Sequence, residues 1–273
     1  MKPKYVDIHC HPYMGALLEQ QDAVIARMKE DGVIGMVVGV DEATSQQAVA
    51  LAEKYDHLYA TIGLHPTDVP AENFDISKFS ALVTSPKVVA IGECGIDFFR
   101  ITGDVEAEKK RQWQTFEVQV AFALKHDKPL MIHCRPSKGS MDAYLEMLDY
   151  LEPRVKENHS LRGNLHFFVG NLDVAKRFWA IGFTTSFTGV LTFTHDYDEV
   201  VKAAPLDMIL TETDAPFAAP SPYRGQTNYP SYVRYVVEAI ARIREESEDK
   251  IAEAVMANAR HLFGIRVGIA SEN

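Results

Sequence analysis

Cysteine is scarce in this sequence: there are three in 273 residues, Cys10, Cys94 and Cys134. So small and odd a number suits a reducing compartment better than a disulfide framework, and the expected location is the cytoplasm. Long hydrophobic runs are missing too. No apolar stretch approaches the roughly 18 residues needed to cross a bilayer, and no basic start leads into an apolar segment, which argues against membrane insertion and secretion. Basic residues are outnumbered, 28 Lys and Arg against 38 Asp and Glu, for a formal net charge of -10. That balance gives no broad attraction to nucleic acid, which depends on neutralising phosphates; it excludes neither a local basic site nor one completed by metal ions. Neither G-x-G-x-x-G nor G-x-x-x-x-G-K-[ST] is present to cradle a phosphate. No repeat of solenoid length, low-complexity tract or Ser/Gly-rich linker divides the chain, so one domain over residues 1–273 is expected.

With 47% hydrophobic residues the chain can bury a large core. Short apolar, β-branched runs alternate with longer segments of helical period, the pattern of βα units around a parallel sheet. Eight such runs are Tyr5 to His11, Ile34 to Val40, Leu58 to Leu64, Val88 to Cys94, Pro129 to Cys134, Gly163 to Phe168, Phe183 to Gly189 and Met208 to Thr213. Between them, Glu106 to His126 places Trp113, Phe116, Val120 and Leu124 on one helical face, and Val233, Val236, Val237, Ile240 and Ile243 repeat the stripe near the end. Eight strands with intervening helices predict an α/β fold of the (β/α)8 or TIM-barrel type, typically about 250 residues long. An open doubly wound sheet is the alternative, disfavoured by the missing glycine-rich loop.

The ends of these runs carry the chemistry. In order they present His9 and His11, His65, Glu93, His133, His166 and Asp214; only the second and seventh contribute none. In a barrel the strand ends form one ring, so residues 200 positions apart meet at one mouth. His9 and His11 share a face because strand side chains alternate with period two. Imidazole nitrogens combined with carboxylate oxygens suit zinc, manganese or a related divalent ion. A lone buried histidine is more often a hydrogen-bonded core residue than a ligand, and His65 by itself reads that way; His57, His126, His159, His195 and His261 fall on helix ends and loops. The set His9, His11, Glu93, His133, His166 and Asp214 is different, because burying so many ionisable groups together costs several kcal/mol unless they are paired or bound to a cation. The cysteines beside three of these residues are turned from them by alternation, toward the helices.

Several stretches together resemble the TatD family of metal-dependent deoxyribonucleases: "DIHCHP", "TIGLHP", "AIGECGIDFFR", "MIHCR", "LHFFVG", "TSFTGVLTF", "LTETDAPF" and "PYRGQTNYPSYV", with the match running from Asp7 to "NARHLF" at Asn258 to Phe263. The resemblance implies a TIM barrel holding two divalent ions (Zn, Mg or Mn), one on His9, His11 and Asp214, the other on His133 and His166, with Glu93 bridging. It implies a 3′ to 5′ exonuclease or related DNA hydrolase acting on single-stranded DNA or 3′ ends, and makes His65 a site residue facing phosphate or water. The chain departs from the family pattern at Pro136 and at Phe167, neither of them a ligand position, which marks the substrate pocket beside Arg135 and His166 as the place to differ.

Two divalent ions about 3.5 to 4 Å apart lower the pKa of a shared water toward neutrality and polarise a phosphoryl oxygen. Asp214 and Glu93 are the candidate catalytic carboxylates, with Asp214 the proton acceptor. Glu212, two residues earlier on the same face, either orients a ligand or pairs with a barrel lysine or arginine. Arg100, Arg135, Lys138 and Arg224 follow strand ends; Arg100, Arg135 and Arg224 are the candidate phosphate binders, while Lys138 reads as surface solvation. Phe98, Phe99 and Tyr223 are candidates for stacking on bases, Phe98 equally for core packing. The competing readings are an amidohydrolase-like enzyme acting on an amide, ester or lactone, and a non-catalytic metal-binding barrel. No apolar surface stripe is left over, so a monomer is expected.

Overall fold

The computed structural model describes residues 3–67 and 74–266. The expected domain span of 1–273 therefore includes positions outside the described residues. The strands are β1 (Tyr5–Cys10), β2 (Val33–Val38), β3 (Leu58–Ile62), β4 (Val88–Asp97), β5 (Leu130–Arg135), β6 (Gly163–Leu165), β7 (Thr184–Phe187) and β8 (Ile209–Thr211). The helices are α1 (Gly15–Leu18), α2 (Gln21–Glu30), α3 (Glu42–Lys54), α4 (Ile76–Leu82), α5 (Val105–Lys125), α6 (Asp142–Glu157), α7 (Leu172–Ala180), α8 (Asp198–Ala203), α9 (Val233–Arg244) and α10 (Glu248–Phe263).

Each strand pairs in parallel with the next, in the order β1 through β8. Strands covered on both faces need continuous apolar sequence, and β2, VIGMVV, is buried at every position. The ring closes between β8 and β1 without a regular ladder. Cys10 bridges Ala215, the Thr211 hydroxyl donates to the Val6 carbonyl, and the buried Asp7 carboxylate accepts from the Thr213 amide at 2.9 Å and its hydroxyl at 2.6 Å. The result is the nearly closed eight-stranded barrel that the alternation predicts, not the open sheet.

Helix starts follow capping chemistry. Asp41 accepts from the Thr44 amide while Thr44 accepts from the Asp41 amide, a reciprocal box opening α3, and Asp104 caps α5. In α5 the predicted stripe faces inward, with Phe116 and Val120 buried and Trp113 and Leu124 half-buried against the core. All five stripe residues of α9 are buried. Beyond it, α10 packs against β1, β8 and α9.

Boundaries differ from expectation where the mouth begins. β4 runs three residues past Cys94 to Asp97, whereas β6 and β8 are only three residues long. The short strands end early because the backbone turns to present side chains: Phe167 and Asp214, just beyond them, take left-handed φ values of 48° and 54°. In β4, Gly92 and Gly95 permit a close approach to β5. A Cβ on Gly95 would lie 1.9 Å from the His133 carbonyl oxygen, and one on Gly92 2.4 Å from that of Met131.

Candidate metal centre

Three of the strand-end residues, His9, Glu93 and His133, lie within β1, β4 and β5. His11, His65, His166 and Asp214 lie one to three residues beyond a strand, in the segments that rise to the mouth. All seven meet. His9 and His11 bring their Nε2 atoms to 3.1 Å of each other. Glu93 Oε2 lies 3.3 Å from His9 Nε2 and 3.9 Å from His11 Nε2, and Asp214 Oδ1 lies 3.8 and 3.5 Å from the same two nitrogens. On the other side of Glu93, Oε1 faces His133 Nδ1 at 2.9 Å, His166 Nε2 at 3.3 Å and His65 Nε2 at 3.5 Å. The triads His9–His11–Glu93, His9–His166–Asp214 and His65–Glu93–His133 each converge closely enough to hold an ion. His65, expected on the substrate side, is thus inside the cluster.

Partners on the far side of the rings fix which nitrogen faces inward. His11 Nδ1 donates to the Val38 carbonyl at 3.0 Å, His133 Nε2 to Asp97 Oδ2 at 2.9 Å, and His166 Nδ1 to Glu212 Oε1 at 3.0 Å. His9 is the exception, its buried Nδ1 having no hydrogen-bond partner and its ring stacking on His166 at 3.6 Å. In His11, His133 and His166 the inner nitrogen is then a lone pair facing carboxylate oxygens, an arrangement that repels unless protons or cations lie between. Divalent ions suit this donor set of nitrogen and oxygen.

Electrostatics point the same way. Burial opposes charge on Glu93, yet His65, His166 and His9 and the hydrogen bond to His133 hold its carboxyl well below the ordinary value. Asp214 is buried as well, but the His11 hydrogen bond and the charges of His166 and His9 keep it low. For His166 burial is outweighed by Glu212 and Glu93, which carry the imidazole well above its usual pKa; burial and the charge of His166 push His9 down. The surrounding imidazoles thus favour the anionic form of both carboxylates.

Glu212 takes the first of its two sequence readings. It is fully buried and accepts from His166, from the Phe167 amide at 2.6 Å and from the Ser186 hydroxyl at 2.8 Å, with no lysine or arginine partner among the described residues. Asp97 escaped the sequence reading. The available signal was its spacing, four residues from Glu93 in one strand and therefore on the same face.

A cleft of about 470 Å³ opens over the cluster, lined by His65, Arg100, Arg135, Phe167, Phe217 and Cys134 among others. All three cysteines are buried, Cys10 and Cys94 with their thiols toward backbone carbonyls, and Cys134, near the end of β5, also borders the cleft. Arg100 reaches to 3.8 Å from Asp97, and Arg135 stacks on Phe99 at 4.1 Å. Arg224 is not among the cleft-lining residues; it stacks on Phe193 at 3.5 Å. Phe98 is buried beneath Lys109, Tyr223 stacks on Tyr232, and Lys138 is exposed. Phe167, one of the two departures from the family pattern, lines the cleft.

The model of the TatD-related DNase family matches residues 6–264. The chain belongs to this family. Among its TatD relatives, the uncharacterized metal-dependent hydrolase YabD of Bacillus subtilis is 36% identical over 263 residues, covering 95% of this chain and 98% of that protein. The 3′-5′ ssDNA/RNA exonuclease TatD of Citrobacter rodentium is 33% identical over 95% of this chain and 97% of its own length. The crystal structure of YjjV, a TatD homolog from Escherichia coli, superposes with a TM-score of 0.86 at 27% identity, covering 97% of this chain and all of that one. Like its TatD relatives, this chain is a metal-dependent hydrolase, and its histidine and carboxylate groups are able to hold the ions.

Proposed function

We propose that this protein is a deoxyribonuclease of the 3′ to 5′ exonuclease type, acting on phosphodiester bonds of single-stranded DNA or unpaired 3′ ends. The observation that carries the reading is the convergence of seven imidazole and carboxylate groups beneath a cleft whose wall also bears Arg100 and Arg135. An acidic molecule thereby gains positive charge only where its ligands meet, and two guanidinium groups stand beside that point. The name of the Citrobacter relative supports the same substrate class and extends it to RNA.

In this reading His9, His11 and Asp214 hold one ion, His133 and His166 a second, and Glu93 is shared. Bound there, two divalent ions make water a competent nucleophile near neutral pH and stabilise charge developing on the phosphoryl group. The chain supplies the rest. Asp214, held anionic and turned inward by its left-handed backbone, accepts the proton of the attacking water and returns it to the leaving oxygen. Asp97 and Glu212 hold His133 and His166 in the tautomer and orientation a ligand needs. Arg100 and Arg135 grip the phosphate, and His65 orients it or the water. The proposed setting is the cytoplasm, whose reducing conditions suit three free cysteines, with the protein acting as a one-domain monomer.

Hydrolysis of bis-p-nitrophenyl phosphate separates this reading from an amidohydrolase-like one. Metal-dependent release of nitrophenol, lost in Asp214→Ala, is expected. Turnover of amides or lactones with no phosphodiester hydrolysis would replace the nuclease with the alternative.

A further inference from the structure

Water-exposed apolar side chains scattered singly need no explanation, but their concentration at one place does. Among the described residues the exposed phenylalanines are Phe99, Phe193 and Phe217, at 49%, 40% and 53% exposure. Each lies on a loop after a strand, β4, β7 and β8 respectively, so all three stand at the mouth. Two carry an arginine on the ring: Arg135 over Phe99 and Arg224 over Phe193. Neither arginine makes an ion pair among the described residues, and Arg224 is exposed while Arg135 is half-buried, on a molecule of net charge -10. The two pairs are differently placed. Arg135 lines the cleft and neighbours the cluster, whereas Phe193 and Arg224 lie outside its lining, at the junction where the Ser221 amide donates to Thr192 and ties the β7 loop to the β8 loop. In the ring of strands one pair sits over β4 and β5 and the other over β7 and β8, with the metal ligands of β6 and β1 among those reaching inward between them.

An unpaired nucleic-acid strand offers what such pairs recognise, π faces alternating with phosphates; a duplex keeps its base faces stacked. We propose that Phe99 with Arg135 and Phe193 with Arg224 are two base-stacking stations flanking the metal cluster, the first next to the scissile phosphate and the second further along the strand. The inference rests on the nuclease reading and sharpens it. The substrate is a strand of several unpaired nucleotides laid across the mouth, and the outer station acts only on substrates long enough to reach it.

The test compares wild type, Phe193→Ala and Phe193→Tyr on three substrates: bis-p-nitrophenyl phosphate, a thymidine dinucleotide and an oligothymidylate of about ten nucleotides, within the range one strand-binding site covers. Kinetics are run with Mn²⁺; binding of the fluorescein-labelled oligomer is read by anisotropy in EDTA, where hydrolysis stops. Loss of one stacked base predicts that Phe193→Ala weakens oligomer binding and raises its KM roughly 5- to 100-fold. Hydrolysis of the two short substrates is unchanged, and Phe193→Tyr behaves as wild type. Equal oligomer affinity in wild type and Phe193→Ala overturns the outer station, as does an equal loss on all three substrates, which would mark a structural defect. Absence of oligomer binding by wild type also overturns it. Failure of the nuclease reading is seen separately, as absent hydrolysis of bis-p-nitrophenyl phosphate by the metal-loaded wild type.

Discussion

At the scale of single residues, the centre depends as much on the groups behind the histidines as on the histidines themselves. Asp97 is the clearest case, since its Oδ1 accepts from the Arg100 amide at 2.9 Å while Oδ2 takes the His133 Nε2 proton. In Asp97→Asn the amide NH2 stands where Oδ2 stood if the carbonyl keeps Arg100. That turns His133 to the tautomer protonated on Nδ1, the nitrogen that faces Glu93 and that the proposal assigns to metal. Metal affinity is expected to fall about 10- to 100-fold, read by calorimetric titration, with the far-ultraviolet circular dichroism unchanged. An unaltered dissociation constant would show that Asp97 does not position the ligand. This residue also marks a limit of sequence reading. His9, His133 and Asp214 were legible because an ionisable group at the end of an apolar run has few structural uses. Asp97 was hidden by sitting beside "FFR", where a carboxylate reads as the polar edge of a loop, although the strand in fact extends to it. Which of Glu212's partners would be found was equally beyond the sequence, because Ser186 and His166 reach it across strands 26 and 46 residues away.

At the scale of elements, the alternation of apolar runs and helical stripes located every strand, since a strand buried on both faces leaves an uninterrupted apolar signature. Their ends were less legible. Periodicity records which residues are buried, whereas β6 and β8 stop where Phe167 and Asp214 turn the chain toward the mouth, and nothing in composition announces a left-handed phenylalanine. β4 shows the converse, its glycines serving a close approach to β5. Gly95→Ala would force a methyl into the His133 carbonyl from a backbone conformation, φ 141°, that alanine rarely adopts. A loss of about 2–4 kcal/mol in urea unfolding is expected from overpacking and backbone strain together, with weakened metal binding because His133 is displaced. Wild-type stability in that variant would mean that β4 and β5 separate freely, contrary to the packing described.

At the scale of the whole molecule, a barrel brings residues from positions 9 to 214 to one end and leaves helices and loops to absorb the rest of the sequence. On the proposed function a net acidic molecule and a phosphodiester substrate are compatible, because association would be governed by charge at the mouth, where Arg100 and Arg135 line the cleft, more than by the net charge. What sequence could not supply was the relation among loops. Arg224 was placed near phosphate by its motif alone, and only the folded chain puts it over Phe193, outside the cleft lining. The measurement that bears most directly on the account is degradation of 3′-labelled single-stranded DNA by the purified protein with Mg²⁺, Mn²⁺ or Zn²⁺, beside EDTA and Asp214→Ala controls. The account predicts labelled nucleotide released by the metal-loaded wild type alone. Intact DNA, with metal shown to be bound at the cluster, would contradict it.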